Sequence, residues 1–327
     1  MAKSKYTSIG GQALIEGILM KSPEKTALCV RLPNGEIDTS YMEEKRLAQK
    51  CKIFALPIIR GVVGFAESMI QGYKALMISA DKSGFTDLEE ETEAKENKEE
   101  TEEKKDNLLL SIIMVVGVVL GLLLAVALFM YLPRILVSGI EWVIGKPITS
   151  KLLRSCIEQF VKLTVFVGYV WIVSFMKDIK RVFMYHGAEH KTIFCYEKGL
   201  ELNVENVKIQ KRFHPRCGTS FMILMILISI VFSTILQVVF PEVYTVKWLW
   251  VVAKILMIPL ICGVGYEVLK ICGRYDNIVT RIISAPGMWL QRLTTKEPEE
   301  DMIEIAIAAL KACEPDVPDV ERNNDNI

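Results

Sequence analysis

Residues Leu108 to Leu132 read LLLSIIMVVGVVLGLLLAVALFMYL, 25 positions without a charge. About 20 apolar residues in helical form cross the hydrocarbon of a bilayer. The run therefore predicts a transmembrane helix and excludes a purely soluble enzyme. Three further runs follow it. Phe160 to Met176 is less apolar, with Lys162 inside it and Glu158 one turn earlier. Phe221 to Phe240 is uncharged, and Trp248 to about Gly265 contains Lys254. Both lysines sit near a span end in this reading, so their ammonium groups are expected to snorkel to the interface. The expected fold class is mainly α: a polytopic helical membrane protein of about four spans, with a small α+β N-terminal domain and a metal-site loop on the cytoplasmic side.

Length and charge agree with this. The 327 residues suffice for roughly two domains, and a mean hydropathy of +0.30 is high for a soluble chain. The 39 basic and 39 acidic side chains cancel, but their signs are segregated. No compact basic patch interleaved with aromatics is present, which excludes nucleic acid and leaves the bilayer as the expected partner. Eleven Asp or Glu and four Lys fill residues 87–107 without an aromatic; such a run cannot offset its ordering entropy and is expected to be a disordered tether. Lys and Arg set the orientation. Nine lie in 177–220, four between the first two spans, and only Lys247 between the last two. Basic loops stay inside, so both termini and the 177–220 segment are expected on the cytoplasmic side of the cell membrane. No apolar signal core follows the start, so no cleaved leader is expected. Eight scattered cysteines without a C-x-x-C pair read as reduced thiols.

The chain thus divides at 1–86, 87–107, 108–176 (two spans), 177–220, 221–272 (two spans) and 273–327. In the first part, Thr26 to Leu32 and Glu36 to Tyr41 flank Asn34-Gly35, a strong hairpin signal. Helical periodicity from Glu43 to Ala80 places Arg60, Gly64, Glu67, Gln71 and Lys74 on one face, expected to be a solvated stripe, the alternative being a polar face turned into a buried site or lying at the membrane surface. In the tail, Pro286 to Leu290 suits a short interfacial helix. Pro298 is expected to open a final helix whose apolar face is Met302, Ile305, Ala306 and Ala309.

All three histidines fall in the basic segment. His186-Gly187-Ala188-Glu189-His190 is an H-x-x-E-H string, and His214-Pro215-Arg216-Cys217 follows. On a helix, positions i and i+4 point the same way, so His186 and His190 can offer two imidazoles to one ion, with Glu189 beside them to act on a water. His214 or Cys217 completes the ligand set. If all of them bind, a tetrahedral zinc site is full and structural; if one does not, a position stays open for catalysis. Gly187 weakens the case for an uninterrupted helix. Cys195 is expected in the core, since Lys191 and Lys198 nearby give only weak grounds for an activated thiol. Glu267 is a remote ligand candidate, read more simply as an interfacial carboxylate near Lys270.

The strings Gly10 to Gly17 (GGQALIEG), Tyr185 to Lys191, Arg212 to Phe221 and Trp289 to Thr295 resemble the YqhQ-type family of bacterial membrane proteins, a domain of unknown function often labelled a predicted metal-dependent enzyme. The resemblance covers nearly the whole chain except the acidic tether. It implies family membership and directs attention to the opening motif, where Glu16 or Gln12 is expected to meet the histidine site as a supporting partner or third ligand.

The function expected is a divalent-metal, zinc by preference, hydrolase at the inner membrane face, with Glu189 catalytic and His186, His190, His214 and Cys217 as metal residues. Its rival is a non-catalytic scaffold or regulator stapled by zinc. A transporter is the third reading, weakened because no span carries paired midplane charges.

Overall fold

The computed structural model describes residues 7, 9–42, 52–84, 116–117, 119–215, 217–245, 247–275 and 277–314. The acidic run 87–107, the opening of the first apolar run, Arg216 and everything past Glu314 lie outside the described residues. Four strands, β1 (Gly10–Leu14), β2 (Gly17–Lys21), β3 (Thr26–Arg31) and β4 (Ile37–Tyr41), precede the long helices. These are α1 (Ile59–Lys82), α2 (Val119–Ile144), α3 (Lys151–Val173), α4 (Lys177–Glu197), the short α5 (Val204–Lys208), α6 (Gly218–Val239), α7 (Lys247–Arg274), α8 (Ile278–Thr294) and α9 (Glu300–Cys313). The chain forms two compact units, Met1–Glu89 with Ile172–Ile228 and Leu256–Ile327, and Glu90–Trp171 with Ser229–Ile255.

The first unit is built on an antiparallel meander ordered β1-β2-β3-β4. The β3–β4 hairpin forms where Asn34-Gly35 predicts it, with Arg31 opposite Ile37 and Gly35 at φ +88°. Successive side chains of a strand face opposite ways. Ile18, Met20, Ala27 and Cys29 accordingly enter one core with Tyr185 and Ala188 of α4 and Met302, Ile305 and Ala306 of α9. Leu14, Leu19, Leu28 and Val30 meet Ala75 of α1 on the other face. Both faces are covered, which is why β2 and β3 are apolar without alternation. Helix α9 is the centre of this unit rather than a tail: Met302, Ile303, Ile305, Ala306, Ala309 and Leu310 are all fully buried. Its N-cap is Glu299, so Pro298 precedes the helix instead of opening it.

Helix α1 keeps Lys74 of the expected solvated stripe exposed but half-buries the other four members. Its inward face is small, Gly72, Ala75 and Ser79. Polar members of the stripe are paired: Arg60 with Glu267 of α7, and Gln71 with Lys21 of β2. The outward face carries Met69, Ile70 and Tyr73, each more than half exposed. The expected interfacial helix near Pro286 is likewise longer. Helix α8 starts from an Asn277–Thr280 capping box and absorbs Pro286 within 17 residues.

Among the described residues, four helices are long and apolar enough to cross a membrane: Val119–Ile144, Leu152–Val173, Gly218–Leu236 and Trp248–Cys272. The first continues past Leu132. A π-type turn over Ala127–Tyr131, closed by the Leu132 N–H on the Ala127 carbonyl, accommodates Pro133, which has no N–H of its own to give. The second begins before Phe160, so Lys162 sits at mid-helix rather than near an end. Lys254 does not snorkel either; its ammonium donates to Ser233 of α6.

Candidate metal centre

Helix α4 is polar by composition yet buried at Tyr185 and from Gly187 to Ile193, with His186 half-buried between. It is a core element of the first unit, not a loop. It runs unbroken through Gly187, and the glycine has a steric reason: an added Cβ would lie 2.0 Å from the carbonyl oxygen of Lys296. The strap joining α8 to α9 crosses the helix there, and the Lys296 N–H donates to the Phe183 carbonyl at 2.8 Å.

The two imidazoles flank that crossing, His186 one residue before Gly187 and His190 three after. His186 Nδ1 contacts the Thr294 carbonyl at 2.9 Å, and its Nε2 lies 3.0 Å from Cys217 Sγ. His190 Nδ1 contacts the Arg212 carbonyl. A carbonyl only accepts, so each Nδ1 must carry a proton, which in a neutral ring leaves the lone pair on Nε2. The Nε2 of His190 is buried and has no hydrogen-bond partner. One ligand atom each from His186, His190 and Cys217 lies within 4.8 Å of the others. Burial alone would raise the Cys217 thiol, but the His190 ring and hydrogen bonds from Thr219 outweigh it and hold the thiol below its ordinary range. Burial and the neighbouring His186 push His190 down, toward the neutral form. Neutral imidazole and thiolate are the forms that bind metals.

Glu189 lies against this trio. Burial, with the Cys217 sulfur adding to it, lifts its carboxyl to about 7, against the lowering influence of His186 and the Gly11 backbone. Its Oε2 is buried without a partner. Gly11 is required by that approach, because a Cβ there would stand 2.9 Å from the Glu189 Cδ and 2.8 Å from the Leu19 carbonyl.

Other expected residues fall elsewhere. His214 is not in the trio. Its Nε2 is 3.8 Å from Glu197 Oε2, and its ring packs 4.7 Å from that of Phe194. Glu16, at φ +49° in the β1–β2 turn, grips Arg181 through both carboxylate oxygens and accepts from Tyr185 at 3.0 Å. Despite partial burial, Arg181 keeps that carboxyl below its usual range. Glu16 thus anchors α4 one residue before His186 and is not itself a member of the trio. Gln12 packs beneath Gly72 of α1, on the sheet face opposite Gly11. Glu267 pairs with Arg60 at 2.7 Å. Cys195 is a core thiol, pushed up by burial.

Three supporting residues escaped the sequence reading. Gln291 accepts from the His214 N–H and donates to the His214 carbonyl, both at 2.7 Å, and to Ser220 at 3.0 Å, bracketing the segment that carries Cys217. Thr294 and Arg212 act through backbone carbonyls, which no side-chain pattern reveals. Gln291 alone left a trace, as a neutral polar residue that follows the apolar Pro286–Leu290 directly.

The family profile described as "Protein of unknown function (DUF1385)" matches residues 56–316. The chain belongs to the DUF1385 family. It is 34% identical over 310 residues to the "Uncharacterized protein YqhQ" of Bacillus subtilis (strain 168), an alignment spanning 94% of this chain and 92% of that one. No solved structure matches. The DUF1385 match takes in the trio, Glu189 and Gln291 but begins after the sheet, so Gly11 lies outside it.

Proposed function

We propose that the protein is a membrane hydrolase dependent on a divalent metal, zinc by its donor set, with its site at the cytoplasmic face. The buried trio of His186, His190 and Cys217 beside the unpartnered Glu189 carboxyl oxygen supports this reading. Two imidazoles and a thiolate suit zinc, and three protein ligands leave the fourth tetrahedral position open, as catalytic sites do. A bound ion would supply Lewis acidity and acidify water. Glu189 exchanges a proton near neutral pH, as a general base requires. The Thr294 and Arg212 carbonyls fix the tautomers, and the Gly11 backbone fixes one side of the carboxyl.

Four apolar helices and the nine Lys and Arg of 177–220 support a multi-pass protein with both termini inside. The outward apolar face of α1 then rests in the bilayer surface, which removes from water the Met69, Ile70 and Tyr73 side chains.

The near-complete burial of His190 and Cys217 favours one rival, a structural zinc in a scaffold. Metal analysis of the purified full chain separates the two. One zinc per chain is expected, lost under mild chelation in His186→Ala, His190→Ala and Cys217→Ser. Glu189→Gln should keep the zinc yet fail to complement a deletion strain. Zinc retained with full complementation in that variant would end the hydrolase reading.

A further inference from the structure

The second unit holds a group of charges where apolar helices would be expected to have none. Arg134 of α2 lies 3.8 Å from Glu158 of α3, and its guanidinium sits 4.0 Å from the centroid of the Trp250 ring on α7. The Lys254 ammonium is 5.7 Å from the same ring and donates to Ser233 of α6 at 2.5 Å. Lys162 of α3 is in electrostatic range of both Lys254 and Glu158. All four candidate spans contribute. Three cations face one carboxylate, which leaves two positive charges uncompensated.

Snorkelling does not account for this. Lys162 is the eleventh residue of Leu152–Val173, about 15 Å from either end at the helical rise. Lys254 has turned onto a neighbouring helix. Ionisable groups at such depth are costly and mark sites when their charges do not cancel. The remaining donors agree. Trp250 is 3% exposed, and its Nε1, which can only donate, has no partner although the ring is flanked by two cations. A guanidinium, two ammonium groups and an indole N–H thus share the Glu158 carboxylate as their one charged acceptor among the described residues.

We infer that Arg134, Lys162, Ser233, Trp250 and Lys254 form an anion site among the spans, for a phosphate group. That group comes either from a phospholipid head or from free inorganic phosphate. Free phosphate with two negative charges balances the charge, a phosphodiester head with one halves the excess, and the acceptor oxygens of either satisfy the indole. The site is separate from the histidine centre and does not depend on its chemistry.

The test uses the full-length protein in a neutral detergent. Unfolding temperature is followed while inorganic phosphate replaces chloride at constant ionic strength. In parallel, native mass spectrometry scores lipid retained after reconstitution in phosphatidylcholine with or without phosphatidylglycerol. Phosphate-dependent stabilisation assigns the site to the free anion, and selective retention of phosphatidylglycerol assigns it to the headgroup. Either is expected to weaken about tenfold or more in Lys254→Met, which keeps the apolar stem. Trp250→Phe keeps the ring beneath Arg134 and removes only the donor, so it should weaken binding with zinc content unchanged. Neither response in the wild type, or identical responses in both variants, overturns the inference.

Discussion

Gly187→Ala places a methyl group where α4 and the strap are closest. The added Cβ would lie 2.0 Å from the Lys296 carbonyl oxygen, 3.3 Å from its carbon and 3.5 Å from Pro298 Cδ. Non-bonded heavy atoms rest at about 3.5 Å or more, so the strap must retreat by over an ångström. Two opposed effects decide the sign. Alanine gains about 1 kcal/mol over glycine in a helix interior. Overpacking against backbone costs about 1–3 kcal/mol, and the Lys296 N–H bond to Phe183, 2.8 Å long, is worth about 1 kcal/mol more. The net is a loss of roughly 1–3 kcal/mol. The functional consequence is larger, because Thr294, two residues before Lys296, holds His186 Nδ1. Displacing such a supporting acceptor weakens metal binding about 10- to 100-fold. Chelator competition for zinc and thermal unfolding with excess EDTA, both on the full chain, read the two effects separately. A variant that binds zinc as tightly as wild type and unfolds no earlier would refute the crossing as the device that sets the site.

Three further outcomes are expected. In EDTA-treated protein, Glu189 has a folded value near 7 against 4.5 unfolded; its neutral form is favoured by folding, so stability is full below 4.5 and is lost as pH rises through 7. The loss is on the order of 3 kcal/mol, and Glu189→Gln should flatten that fall relative to wild type; parallel curves for the two proteins would refute the burial argument. Reporter fusions after Lys82, near Glu205 and after Thr295 should all report the cytoplasm, and one external site would overturn the four-span orientation. Deleting Glu89 to Glu103 should leave insertion and zinc content unchanged, as expected from a composition too acidic to offset its ordering entropy; lost zinc would sink that reading.

What the sequence disclosed depended on how local the cause was. The β3–β4 hairpin is written in Asn34-Gly35, and the membrane-crossing lengths in four apolar runs, because turn chemistry and span length are properties of contiguous residues. Strands β1 and β2 were harder to read. Buried on both faces, Ile18-Leu19-Met20 shows no alternation, and only the pairing with β3 separates its two sides. Polarity misled in part for α1: Arg60 of its stripe is half-buried against Glu267, over 200 residues away, a partner that local spacing cannot reveal, while Lys74 stays exposed.

The same distinction runs through the candidate site. His186, Glu189 and His190 share a helix face by their spacing alone, so the nucleus of the site was legible. Which distant residue joined them was not. His214 and Cys217 lie three apart in sequence, and the choice fell to the Gln291 side chain, which fixes the His214 backbone and leaves the thiol, not the imidazole, beside His186. Strand alternation settled the opening motif: Gln12 and Gly11 are neighbours in sequence and on opposite faces of β1. Gly11 reaches Glu189 because it has no side chain, a contribution invisible to any search for ligand-type residues. The charged group of the second unit follows the same rule. Arg134, Glu158, Lys162 and Lys254 look isolated along the chain, and the sequence argument against a transporter rested on that isolation. Helix packing removes it, so the proposed metal centre and the proposed anion site of the second unit must be tested as two separate sites.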